Sequence, residues 1–145
     1  MISFFKENTD FDIKSKNKIK AWLRSVAAQR GYAIGDLNYI FCSDDYLLDI
    51  NRRYLGHDYY TDIITFDSRE DASSLKIDGD IFISVETVRA NGDEYGEGFE
   101  REMMRVVVHG LLHLCGLDDR TETQQKQMRM AENAALEQWN TIMTS

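Results

Sequence analysis

Residues 99–114 constrain this chain more than any other stretch. Phe99, Met103, Val106, Val107, Val108, Leu111, Leu112 and Leu114 are apolar, and no Gly or Pro falls between Phe99 and His109. The pattern predicts one long buried helix carrying both His109 and His113. At about 100° and 1.5 Å per residue, the two imidazoles sit about 40° and 6 Å apart on one face. Side chains so placed can bind a single metal ion. The chain has only three histidines, and two of them fall on its most apolar helix. Imidazoles buried without partners cost free energy, and a metal satisfies them.

Gly116 gives this helix an end. A continuous helix would carry Asp119 about 15 Å along the axis from His109, too far to share an ion. A glycine one turn after His113 accepts the left-handed conformation that stops a helix and folds the chain back. Asp118 and Asp119 then face the imidazoles. Zinc takes Asp oxygen as well as His nitrogen, and three protein ligands leave a fourth position open. We read His109, His113 and Asp119 as the ligands of one Zn2+ per chain, with Asp118 as a second carboxylate at hand. Cys115 is two residues from His113 and points across the helix, away from the imidazoles. The spacing is that of the zincin metalloproteases, but their general base, a Glu directly after the first His, is replaced here by Gly110. This argues against that class of protease.

A chain of 145 residues with 43% hydrophobic and 11% aromatic content can bury a core and is not disordered. No apolar run approaches the roughly 18 residues of a membrane span. Residues 1–7 lack the basic and apolar regions of a signal peptide, so a cytoplasmic protein with Cys42 and Cys115 as reduced thiols is expected. The net charge is −8 and the pI about 4.8. Such a chain does not grip nucleic acid by its overall field. A nuclease of this charge needs a local basic groove or a larger ribonucleoprotein to position it.

Taken in order, residues 1–6 predict a strand and 14–30 a helix whose Lys and Arg residues form a solvated face. Residues 37–42 predict a strand. Ser43 caps a helix that buries Leu47, Leu48, Ile50 and Tyr54 and closes at Gly56. Strands follow at 61–67 and 79–84, separated by a polar loop over 68–76. A short helix, 85–90, ends at Asn91-Gly92. After the histidine helix, Thr121 to Gln124 resembles a capping box that opens a last helix running to about Trp139. There are no repeats and no linker. The expected fold is one α+β domain over 1–145, with about four strands in a mixed sheet packed by about five helices.

Once these residues are set out, a family resemblance is visible. His109-Gly-x-Leu-His113-Leu-x-Gly116-x-Asp118 resembles the signature of the YbeY family, the bacterial metal-dependent endoribonucleases of ribosomal RNA maturation. Asn51 to Phe66 resembles that family's segment from its second helix into a strand, and Gly79 to Ser84 its Gly-Asp-Ile strand. The resemblance implies the same architecture, and metal-assisted cleavage of single-stranded RNA in 16S rRNA 3′ end processing and ribosome quality control. Ribosomal RNA and ribosomal particles are the implied partners; neither DNA nor membrane is.

Three positions depart from the family pattern. Asp119 stands where the family has a third His, Leu55 where it has Arg, and Tyr60 where it often has Pro. With Leu55 in place, Arg53 is the residue we assign to stabilising transition-state charge, and Asp118 is the second catalytic residue. Arg52 and Thr61 are assigned to the substrate. His57, without a paired ligand nearby in sequence, is expected to be a loop residue and not a fourth ligand. Two further readings stay open: an assembly factor on the ribosome with a structural metal, and a zinc hydrolase acting on a different bond.

Overall fold

The structure is a computed structural model and describes residues 1–145. In chain order it comprises β1 (Ile2–Glu7), α1 (Lys16–Gln29), β2 (Ala33–Cys42), α2 (Asp44–Ile50), β3 (Ile63–Asp67), β4 (Lys76–Ser84), α3 (Val85–Glu94), α4 (Phe99–Leu114) and α5 (Glu122–Thr144). Beyond Ile50, α2 widens into a π turn over Asn51–Leu55. The four strands form one sheet in the order β1-β2-β4-β3. β1, β2 and β4 run parallel, and β3 lies antiparallel on β4. This is the expected α+β domain, with a four-stranded mixed sheet and five α-helices.

The sheet separates two apolar layers because its strands alternate. Leu37, Tyr39 and Phe41 of β2 and Ile77, Ile81 and Ile83 of β4 face the main core, where α1, α4 and α5 supply Trp22, Leu23, Val107, Leu111 and Met128. Phe82 and Ile64, on the opposite face, join Cys42 and Leu47 in a smaller cluster beneath α2. Both cysteines are free and buried.

α4 runs through the middle of the main core. Val107, Val108, Leu111 and Leu112 are fully buried. Gly110 lets this helix approach the sheet, because a Cβ there would stand 2.9 Å from Ile81 Cδ1 and 3.1 Å from Ile63 Cδ1. The Tyr39 hydroxyl donates to Val107 O at 2.8 Å, and Trp22 Nε1 donates to Ala135 O at 2.8 Å. These two bonds tie the sheet to α4 and α1 to α5.

Several boundaries differ from the sequence reading. β2 and β4 begin earlier and pair across an irregularity between Ile34 and Leu37. α3 does not end at Asn91-Gly92. Gly92 is inside the helix, where a Cβ would meet Gly98 O at 2.7 Å, so this glycine serves close packing and not termination. α5 runs past Trp139 to Thr144. Tyr54, expected on the buried face, is 66% exposed. The π turn adds a residue to the helical repeat and rotates Tyr54 away from the side defined by Leu47 and Leu48. No helix is long and apolar enough to cross a membrane.

Candidate metal centre

The C-terminal end of α4 builds the site. Gly116 has φ 94°, and the turn around it satisfies the last carbonyls of the helix. Its N–H donates to His113 O at 3.0 Å, and Leu117 N–H donates to Leu112 O at 3.1 Å. That pair of bonds is a Schellman motif. It reverses the chain and returns residues 117–119 alongside α4. The start of α5 then fixes the return. Thr121 and Gln124 form the capping box, Gln124 Oε1 accepts from the N–H groups of Arg120 and Thr121 at 3.0 Å each, and Gln125 Nε2 donates to Asp119 O at 3.1 Å.

The outcome is a three-sided donor set. Asp119 Oδ2 lies 3.5 Å from His109 Nε2 and 3.5 Å from His113 Nε2. The two rings are nearly perpendicular, with centroids 4.6 Å apart. One ligand atom from each of His109, His113 and Asp119 falls within 4.8 Å of the other two, so the three could hold one ion. Two nitrogens and one carboxylate oxygen are donors that suit zinc.

Glu132 of α5 completes the arrangement and was not found from the sequence. It is 5% exposed, and its Oε2 lies 2.6 Å from His109 Nδ1. A carboxylate there accepts the Nδ1 proton and leaves the Nε2 lone pair facing His113 and Asp119. Arg105 Nη1 donates to Glu132 Oε1 at 3.1 Å, and Arg129 stands 3.6 Å from the same oxygen. Burial disfavours the charged His109 imidazole, but the hydrogen bond and charge of Glu132, with Asp119 and Asp62, outweigh it and raise the pKa. Burial likewise works against the Glu132 carboxylate, and the hydrogen bonds from His109 and Arg105, with the charges of His109 and Arg129, together outweigh it and lower that pKa. Asp62, just before β3, is a second missed acid. Burial raises its pKa, and the charge of His109 acts against that rise.

An open depression of ≈ 730 Å³ lies beside the donors, lined by His109, Asp119 and residues of α5 that include Gln125, Lys126 and Arg129. The remaining assigned residues are dispersed. Asp118 is exposed and stands outside the donor group. Arg52 pairs with Asp58, and Arg53 with Asp49 at 3.1 Å; both arginines are exposed on the π turn and neither lines the depression. Thr61 is half-buried, and its hydroxyl donates to Ile63 O at 3.4 Å. His57 is exposed in the loop after the π turn, stacked on Tyr59.

An α+β sheet that carries a His-His-Asp donor set at a helix end defines the class as one with a candidate metal site. Comparison with known proteins narrows it. The family described as Endoribonuclease YbeY matches residues 2–140, and the chain belongs to that family. A protein named Endoribonuclease YbeY from Phocaeicola vulgatus is 46% identical over 136 residues, covering 94% of this chain and 96% of its own length. One of the same name from Cytophaga hutchinsonii is 48% identical over 135 residues, covering 93% of each chain. Among solved structures, that of TM1509 from Thermotoga maritima superposes with a TM-score of 0.65 at 23% identity, covering 97% of this chain and 93% of the other. This last likeness is one of fold.

Proposed function

We propose that the chain is a zinc-dependent endoribonuclease that cleaves single-stranded RNA during ribosomal RNA maturation in the cytoplasm, acting on ribosomal particles. The observation that supports it most is the meeting of His109, His113 and Asp119 within 4.8 Å in a member of the Endoribonuclease YbeY family. Bound there, a divalent ion supplies Lewis acidity toward water and a phosphoryl oxygen.

The protein's own residues do the rest. Glu132 and Arg105 lock the orientation of His109. Asp119 supplies the anionic donor where a neutral imidazole would otherwise stand. Asp118, exposed and free of ion-pair partners, is the carboxylate available to take or return a proton. Arg53 and Arg52 exchange Asp49 and Asp58 for phosphate oxygens, with Thr61 a further hydroxyl contact on the segment entering β3. Lys126 and Arg129 line the depression, paired with Glu122 and Glu132, and are the cations an RNA backbone would meet there.

The test is cleavage of a defined single-stranded RNA by the protein before metal removal, after it, and after zinc is restored. The proposal expects activity to vanish and return, and Arg53→Ala to slow cleavage without loss of metal. Metal bound at full occupancy with no cleavage of free RNA or ribosomal particles would assign the chain to assembly with a structural ion. Cleavage of another bond under the same conditions would assign it to a different hydrolase class. Two imidazoles and a carboxylate also suit iron(II), so elemental analysis accompanies the assay.

A further inference from the structure

Residues 52–60 are exposed without a break and connect the end of α2 to the segment entering β3. Within them Tyr54, Leu55, Tyr59 and Tyr60 hold large apolar surface in water. We propose that this segment is a base-stacking platform for single-stranded RNA, with Tyr59 and Tyr60 as its stacking residues. The proposal rests on the ribonuclease reading above and adds the surface by which the strand is held.

The rings are fixed without being covered. Asn51 is 1% exposed and anchors the loop twice: its Nδ2 donates to Tyr59 O at 2.9 Å, and its own carbonyl accepts from His57 N–H at 3.2 Å. His57 stacks on Tyr59 with centroids 5.2 Å apart and planes 20° apart, and the Tyr59 hydroxyl meets His57 Nδ1 at 3.0 Å. The Tyr60 hydroxyl donates to Asp45 at 3.2 Å. Yet Tyr59 remains 55% exposed and Tyr60 58%. Aromatic planes ordered in advance and left open lower the entropy cost of binding a flat partner. Every base offers such a face, so the platform accepts a strand with little regard to its sequence.

Position and aromatic surface favour RNA as that partner. Ile63 packs where Gly110, next to His109 in the chain, lacks a Cβ. Tyr60 is three residues before Ile63, so their Cα atoms are at most roughly 11 Å apart. The platform therefore belongs to the segment that enters β3 beside α4, while the Tyr60 hydroxyl itself turns to Asp45 of α2. The chain carries −8 overall, and the two arginines of the segment are already paired with Asp49 and Asp58. Phosphate contacts are few, so affinity for a strand must come largely from stacking, which salt does not screen. With at most four phosphate contacts on a single strand, from Arg52, Arg53, Lys126 and Arg129, log Kobs should fall against log salt with a slope no steeper than about −2.8.

The test measures binding without catalysis. The full chain is titrated, in excess chelator, with a fluorescent oligoribonucleotide carrying 2′-O-methyl sugars throughout, at several salt concentrations. Tyr59→Ala and Tyr60→Ala should each weaken binding by roughly fivefold or more, while Tyr59→Phe and Tyr60→Phe, which keep the ring and lose only its hydroxyl anchor, should lose less than the alanine variants. Tyr95→Ala, which removes an exposed tyrosine elsewhere on the surface, should bind like the parent. Cleavage of ordinary RNA by the zinc-loaded parent is run alongside. If the parent cleaves RNA and both alanine variants bind as it does, the platform is wrong and the ribonuclease reading stands. If the parent neither binds nor cleaves, the ribonuclease reading fails and takes the platform with it. If the alanine variants keep their affinity for RNA but no longer sediment with ribosomal particles, the surface serves a protein partner, and that too overturns the proposal.

Discussion

At the scale of single residues, the site depends on one contact outside the donor set. Glu132 fixes which nitrogen of His109 faces the other donors, and Arg105, 7% exposed, holds Glu132. Glu132→Gln keeps the shape but can present an N–H to His109 Nδ1 in place of a carboxylate oxygen. We expect metal affinity to drop by about 10- to 100-fold with the fold intact, as measured by competition with a chromogenic chelator. Unchanged affinity would show that His109 needs no such partner. Asp119 makes a different prediction. Asp119→His should bind zinc at least as well as the parent, since imidazole is an ordinary third ligand and leaves more charge on the ion. A large loss of bound zinc in a folded variant, found by elemental analysis, would show that the carboxylate is not interchangeable there. The three donors were legible in the sequence because a helix repeat and one glycine place them. Glu132 was not, since it is 23 residues from His109 and only the packing of α5 on α4 brings them together. Asp62 was hidden for the same reason: nothing local tells which strand end meets the histidines.

At the scale of elements, α4 and its Schellman turn hold the donors in register. Gly116→Ala places a Cβ at φ 94°, which costs about 1 kcal/mol or more. We expect a lower denaturation midpoint together with weaker metal binding, because relaxing the turn moves Asp119. Equal metal affinity in that variant would separate the turn from the site. The β3–β4 loop offers a pH test. Arg69 Nε donates to Asp67 Oδ1 at 2.9 Å, and its Nη1 donates to Ser74 O at 2.9 Å, so the guanidinium spans the loop. The hydrogen bond from Arg69 lowers the Asp67 pKa. A carboxylate depressed by folding stabilises the native state above its unfolded pKa of about 3.9, and that stability is lost as pH falls through the folded value. The gap in urea midpoint between wild type and Asp67→Asn should therefore be full at neutral pH and close in strong acid. A gap that widens in acid would reverse the assignment. The end of α4 at Gly116, the capping box and the presence of four strands could be read locally, whereas the ends of α3 and α5 could not. The exposed Tyr54 could not, because a 3.6-residue repeat does not anticipate the wider turn over Asn51–Leu55.

For the whole molecule, charge and metal set the behaviour. A net charge of −8 disfavours RNA over most of the surface, so the proposed stacking residues and the few cations beside the site would have to provide the affinity for a strand. An ion bound only by the folded chain also stabilises it, by about 2.7 kcal/mol at 100 times its Kd. Stripping should accordingly lower the melting temperature as well as activity. The central claim is that His109, His113 and Asp119 hold the ion that cleavage requires. It is tested most directly by comparing wild type and His113→Ala, both folded, for bound metal and for cleavage of single-stranded RNA in the same preparations. Wild type is expected to carry about one zinc ion per chain and to cleave, and His113→Ala to lose both. A His113→Ala protein that keeps its metal, or cleaves at the wild-type rate, would contradict the claim.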